Sequence, residues 1–126
     1  MENVILTPHI GGSTEEAQRN IGIEVSDALV DYIDTGSSTG CANVPEVQMP
    51  PIGDSLRVLN IHKDVPGVLS RINGLVAGMS VNIKAQSYHT REGIGYLIMD
   101  TEKSLDRDIE KQIESLDFNI RTRLLF

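Results

Sequence analysis

The chain has 126 residues, 40% of them hydrophobic but only 4% aromatic and none tryptophan, which is room for one modest domain with an aliphatic core, or a small domain with an appendage. A net charge of −7 argues against nucleic acid as a partner, and no apolar run approaches the ~18 residues of a membrane span, so the expected setting is cytoplasmic, away from membranes. The single cysteine, Cys41, excludes an internal disulfide framework and an all-cysteine metal site.

The charge is unevenly spread. Residues 1–54 hold nine acids against one base, Arg19, whereas residues 55–126 hold ten bases against nine acids, which marks two segments with different roles. In chain order, Val4, Ile5 and Leu6 read as a short strand ending at Thr7-Pro8-His9. Ser13 and Glu16 have capping-box spacing, and Ala17, Ile21, Val25, Ala28, Leu29, Tyr32 and Ile33 follow a helical period that stops at Thr35-Gly36. Such a stripe needs a partner surface. Pro45, Pro50 and Pro51 bar most of residues 37–54 from helix and central strand, so this stretch reads as an extended linker.

Beyond it the pattern changes. Residues 56–61 form an apolar strand, and Val68, Leu69, Ile72, Leu75 and Val76 make a helix stripe as far as Gly78. Residues 81–88 alternate like a half-buried strand, Arg91-Glu92-Gly93 reads as a hairpin turn, and residues 94–99 return. Ser104 is placed to cap a second helix carrying Leu105, Ile109, Ile113 and Leu116, and residues 119–125 close with an alternating strand. The fold class is therefore α+β: the order βαββαβ is ferredoxin-like, an antiparallel sheet with both helices on one face. The other face and one sheet edge are left open to a second copy of the chain.

Between the first strand and helix of this unit lies the most informative stretch, Asn60-Ile-His-Lys-Asp-Val-Pro-Gly67. Proline suits a first helical turn, glycine lets a backbone or ligand come close, and free amides at a helix start attract an anion. His62 and Asp64 would stand beside such a ligand. On residue type alone, His62 reads more readily as a strand-end histidine bonded to backbone and Asn82 as a turn residue, while Asp64 could cap the helix. The three histidines are too scattered for a metal site, and the acids do not follow a calcium-loop pattern.

The strand, the Asp64-Val-Pro-Gly67 turn, the helix and the following Val81-Asn82-Ile83 resemble an ACT domain, the amino-acid-sensing module attached to many biosynthetic enzymes. Upstream, Asn3-Val-Ile-Leu-Thr-Pro-His-Ile-Gly-Gly-Ser-Thr14 and the helix with Asn20-Ile-Gly22 resemble the end of the catalytic part of the NAD-dependent 2-hydroxyacid dehydrogenases. The closing Arg121-Thr-Arg-Leu-Leu-Phe126 resembles the end of the serine-inhibited members.

The resemblance implies four segments. Residues 1–12 would end the nucleotide-binding domain with its catalytic-histidine loop, 13–36 would be a helix of the substrate domain, 37–54 a linker and 55–126 the ACT regulatory domain, so that a strand-helix remnant of the catalytic domains precedes the sheet. It makes His9 the counterpart of the family's acid/base, a job suited to imidazole. NAD serves the parent enzyme, but this chain holds no cofactor site: Gly93-Ile-Gly95 lacks the strand-turn-helix context of a dinucleotide loop, and the chain alone should be inactive. The ACT part would bind L-serine, or a similar amino acid, between two subunits through His62, Asp64, Gly67 and Asn82. Homodimers would form through the ACT sheet edges, with a tetramer in the parent. Asp64 stands where the serine-inhibited members carry Asn; an aspartate accepts and cannot donate, so it favours the ligand's ammonium and repels its carboxylate. The alternative is a free-standing ACT-type amino-acid sensor or dimerisation module without catalytic activity.

Overall fold

A computed structural model describes residues 3–126; the first two residues of the 1–12 segment lie outside the described residues. The elements are α1 (Glu15–Thr35), β1 (Leu56–Lys63), α2 (Val68–Gly78), β2 (Ile83–Arg91), β3 (Ile94–Thr101), α3 (Asp108–Glu114) and β4 (Asn119–Leu125). The four strands form one antiparallel sheet in the order β2-β3-β1-β4, the ferredoxin-like arrangement expected of a βαββαβ chain.

Alternation along β1 sorts its side chains onto two faces. Leu56 and Val58 join Leu97 and Met99 of β3 beneath α2 and α3, where Val68, Ile72, Val76, Ile109, Ile113 and Phe118 complete the main core. The helices lie there because their stripes at a 3.6-residue period present one apolar face each. Between β2 and β3, Glu92 (φ 51°) and Gly93 (φ 81°) both adopt left-handed backbone, the two-residue geometry that matches strand twist.

The second face of the sheet is not open, and residues 37–54 are not simply an extended linker. Val47 packs with Leu59, Tyr96 and Ile98 in a second core, flanked by Tyr32, Met49, Ile61 and Leu125. The strap that carries Val47 is closed by serines: Ser38 Oγ donates to Pro45 O (2.7 Å) and accepts from Val47 N (2.9 Å), and Ser37 Oγ accepts from Met49 N (3.0 Å). Prolines kept this stretch out of regular secondary structure, as read from the sequence, but side-chain hydroxyls satisfy its backbone and let it lie against the sheet. Gly36 makes the approach possible. It has φ 82°, its carbonyl accepts from the buried Tyr96 hydroxyl (2.6 Å), and a Cβ there would stand 2.5 Å from Leu59 Cδ2.

Arg57 ties the strap down. It is 1% exposed, and its Nε and Nη2 donate to the two carboxylate oxygens of Asp100, its cross-strand partner, at 2.6 and 2.8 Å. Nη1 donates to the carbonyls of Thr35 (2.8 Å) and Pro50 (2.9 Å), one at each end of the strap. The guanidinium fork suits this bidentate pairing.

Other details depart from the sequence reading. Residues 4–6 form no strand: Ile5 and Leu6 are about as exposed as side chains can be, and a strand without a neighbour has no ladder to join. Thr14, not Ser13, caps α1, accepting from Ala17 N (3.1 Å). α3 starts at Asp108 rather than at a Ser104 cap, because Asp106 Oδ1 accepts from Asp108 N (2.9 Å), while Leu105 is buried in the preceding turn. The outward stripe of α1, with Ile21, Val25, Leu29 and Ile33, is uncovered in the single chain.

Candidate functional site

β1 runs two residues further than its apolar pattern, to Lys63, with a bulge against β4 between Ile61 and His62. His62 is therefore a strand residue rather than part of the turn. Its side chain is fully buried on the helix-bearing face. Nδ1 lies 2.8 Å from Asn60 Oδ1, Nε2 lies 3.5 Å from the Tyr88 hydroxyl, and the ring is parallel to that of Tyr88 (centroids 5.6 Å apart, 2° between planes) with Phe118 against it edge-on.

Gly95 explains how a residue on β1 reaches one on the edge strand β2. It pairs directly with His62 on the intervening strand, and a Cβ on it would fall within the imidazole, 2.7 Å from Cδ2. The missing side chain opens a slot across β3 through which the ring leans toward Tyr88, as glycine does where another group approaches a strand closely.

The turn after β1 forms the rim. Asp64 N donates to Gly93 O (2.9 Å), and Asp64 Oδ1 accepts from the Tyr88 hydroxyl (3.4 Å). Gly67 adopts φ 90° as N-cap of α2, so Pro66 precedes the helix instead of entering its first turn, and Asp64 does not cap it. Residues 64–70 and Tyr88 line a cleft of about 480 Å³, which holds the free amides at the α2 start beside the Asp64 carboxylate. Burial, then the neighbouring Asp64 charge, raises the Tyr88 phenol above its ordinary pKa.

Burial also pushes the His62 pKa below its ordinary value, opposed by the hydrogen bond to Asn60 and by the Asp64 charge. The unfolded chain thus takes up a proton near the ordinary 6.5 that the folded chain takes up only at lower pH. The stability from neutral His62 is fully present above the unfolded value, is lost as pH falls through the interval below it, and levels off beneath the folded value. Urea midpoints measured from about pH 7.5 to 5.5 should fall with acidification, and His62→Gln should flatten that slope.

Of the residues singled out by sequence, His62, Asp64 and Gly67 come together at one end of the sheet. Asn82 does not join them within one chain. His62 is level with Gly95 and Thr90, whereas Asn82 precedes Ile83, which is level with Thr101 at the opposite end; eight residues of strand separate them by about 25 Å. Asn82 is exposed, and its Nδ2 donates to Glu102 Oε1 (3.0 Å). His9 lies exposed in the unpaired segment before α1. Sequence reasoning overlooked Asn60, Tyr88 and Gly95; a glycine inside an otherwise apolar strand was the available signal for the last.

Among the described residues no group of three or more His, Cys, Asp or Glu side chains could hold a metal ion, and no helix is long and apolar enough to cross a membrane. Gly93 and Gly95 belong to the β2–β3 hairpin, a setting that does not fit a dinucleotide's pyrophosphate, which needs a helix N-terminus after the glycines.

Comparison with known proteins agrees with this architecture. Residues 59–120 match the sequence profile of the AHAS small subunit-like ACT domain. D-3-phosphoglycerate dehydrogenase of Dictyostelium discoideum is 48% identical over 124 residues, covering 98% of this chain and 30% of the relative. The enzymes of that name from Escherichia coli K12 (45%) and Haemophilus influenzae (42%) each cover 99% of this chain, and 31% and 30% of their own length. The chain thus spans about a third of the relatives it matches. Along nearly its whole length the chain matches the C-terminal region of D-3-phosphoglycerate dehydrogenases, with an ACT domain inside that match.

Proposed function

We propose that this chain is the regulatory C-terminal portion of a cytoplasmic, NAD-dependent D-3-phosphoglycerate dehydrogenase, and that its ACT domain binds L-serine at the seam of a homodimer as a feedback inhibitor. The observation that carries this reading is the strand register. His62, Asp64 and Gly67 stand at one end of the sheet and Asn82 at the other, and β2 is an edge strand whose outer side pairs with no other strand among the described residues. Antiparallel pairing of two β2 strands about Gln86, midway between 82 and 90, sets the partner's Asn82 beside Thr90, level with His62. Two copies then complete two sites from residues that no single copy brings together.

Serine at both sites of the seam would hold the pair of sheets in one arrangement. The strap, clamped by Arg57 at both of its ends, would pass that arrangement to α1 and to the catalytic segments before it. Affinity for serine and closure of the catalytic domains would oppose each other reciprocally. His9 is the proposed acid/base of the parent reaction; on this reading NAD binding and the tetramer would belong to the parent enzyme.

Calorimetric titration of L-serine, with glycine and D-serine as controls and light scattering for mass, tests the reading. Stereospecific binding to a dimer, lost in Asn82→Ala, is the expected result. No heat at millimolar serine, or binding to a monomer, would sink it.

A further inference from the structure

The buried polar groups beneath His62 form a directed chain. Thr122 Oγ1 donates to Asn119 Oδ1 (2.9 Å), and Asn60 Nδ2 donates to Asn119 Oδ1 (2.8 Å), to Thr122 Oγ1 (3.0 Å) and, more weakly, toward the Arg121 carbonyl (3.4 Å). A backbone carbonyl only accepts, so the amide nitrogen of Asn60 is the group that faces β4. Its oxygen is thereby turned toward His62 Nδ1, 2.8 Å away, and an amide oxygen can only accept. Asn60, His62 and Thr122 are all essentially without solvent exposure, so water cannot substitute for any of these partners.

We infer that Asn60 is a positioning residue that holds His62 in the Nδ1–H tautomer, leaving the Nε2 lone pair directed at the cleft side, where Tyr88 and Asp64 lie. Resting on the amino-acid-binding reading above, this assigns the polarity of the site. Neutral His62 and ionised Asp64 form an acceptor pole, which receives the ligand's ammonium group. The carboxylate is left to the donors opposite, the α2 amides and the partner's Asn82. In the free protein the Tyr88 hydroxyl, 3.5 Å from Nε2 and 3.4 Å from Asp64 Oδ1, lies between these two acceptors with a single proton for both, where an ammonium would bring a proton for each.

The charged and titratable groups around the ring are few. Asp64 comes from the turn and Tyr88 from β2; Arg71 of α2 lies over Phe118 and pairs with Asp117 from the turn before β4; β3 contributes Gly95 and no charge. Protonating His62 turns the pole from acceptor to donor and repels an ammonium. Binding therefore weakens on acidification, approaching about tenfold per pH unit below the His62 pKa.

The first test is long-range 1H–15N correlation NMR of the unliganded full chain at neutral pH, with the His62 ring assigned by its loss in His62→Gln. A protonated Nδ1 and bare Nε2 are expected, and Asn60→Leu should release the ring to the opposite tautomer. Nε2–H in the wild-type chain would overturn the inference whether or not Asn60→Leu folds. The second test titrates L-serine methyl ester and N-acetyl-L-serine. The ester, which keeps its ammonium, should retain binding, and the N-acetyl compound should lose it; the reverse, or tighter serine binding as pH falls, would overturn the assigned polarity. If neither L-serine nor its ester binds while NMR shows Nδ1–H, the amino-acid reading falls and the Asn60–His62 assignment stands.

Discussion

Replacing Arg57 with leucine should lower the unfolding free energy by about 3–5 kcal/mol, the largest single-site effect expected in this chain outside the main core. The substitution leaves the Asp100 carboxylate, 15% exposed, facing the sheet without its bidentate partner, and releases the Thr35 and Pro50 carbonyls that the guanidinium holds. The cost comes from the stranded charge more than from the lost attraction, since a buried ion pair only roughly offsets the desolvation of its members. Urea unfolding checks the size. The double replacement Arg57→Leu with Asp100→Leu separates the causes: it should recover part of the loss, because no charge is then stranded. Proteolysis within residues 37–50 should accelerate in both variants, since neither retains the clamp on the strap. A single variant as stable as the wild type would mean that the strap contributes nothing to the fold.

Gly95→Ala is the second. The added methyl has no space while the His62 ring crosses β3, so the ring must leave its slot. Overpacking of this kind costs about 1–3 kcal/mol, and the bonds to Asn60 and Tyr88 go with it. The proposed amino-acid binding should disappear because the His62 Nε2 behind Tyr88 leaves its place. A double-mutant cycle with His62→Ala isolates the mechanism: once the ring is gone, Gly95→Ala should cost little more, so the two effects should be strongly non-additive. Additive losses would show that Gly95 serves the hairpin rather than His62.

Both residues show how far the primary structure could be read. Arg57 sat in an apolar strand with no mark of its role. Its partner lies 43 positions away, and its carbonyl acceptors belong to a stretch that looked like linker. Gly95 was legible as a glycine in a strand, but which ring occupied its space depends on strand order and register. Tyr88 is one polar-tipped residue on an alternating edge strand, and Asn60 lies among apolar neighbours; neither pattern carries a signal of partners on β1 and β4. His62, Asp64 and Gly67 could be found beforehand because they cluster within six residues around one turn, whose chemistry is local.

Periodicity is local too, and through it the sequence by itself determined the main elements, the ferredoxin-like order and the aliphatic core under α2 and α3. A period of two or 3.6 fixes which face of an element is apolar whatever surrounds it. Only the tertiary structure decided that residues 37–50 close the sheet's second face, that Asn82 stands at the far end from His62, and that Asn60 aims an acceptor at Nδ1. Each depends on which atoms of distant segments arrive within hydrogen-bond distance, and that is set by sheet register, the choice of neighbouring strand and the packing of side chains at close range, none of which a one-dimensional pattern contains.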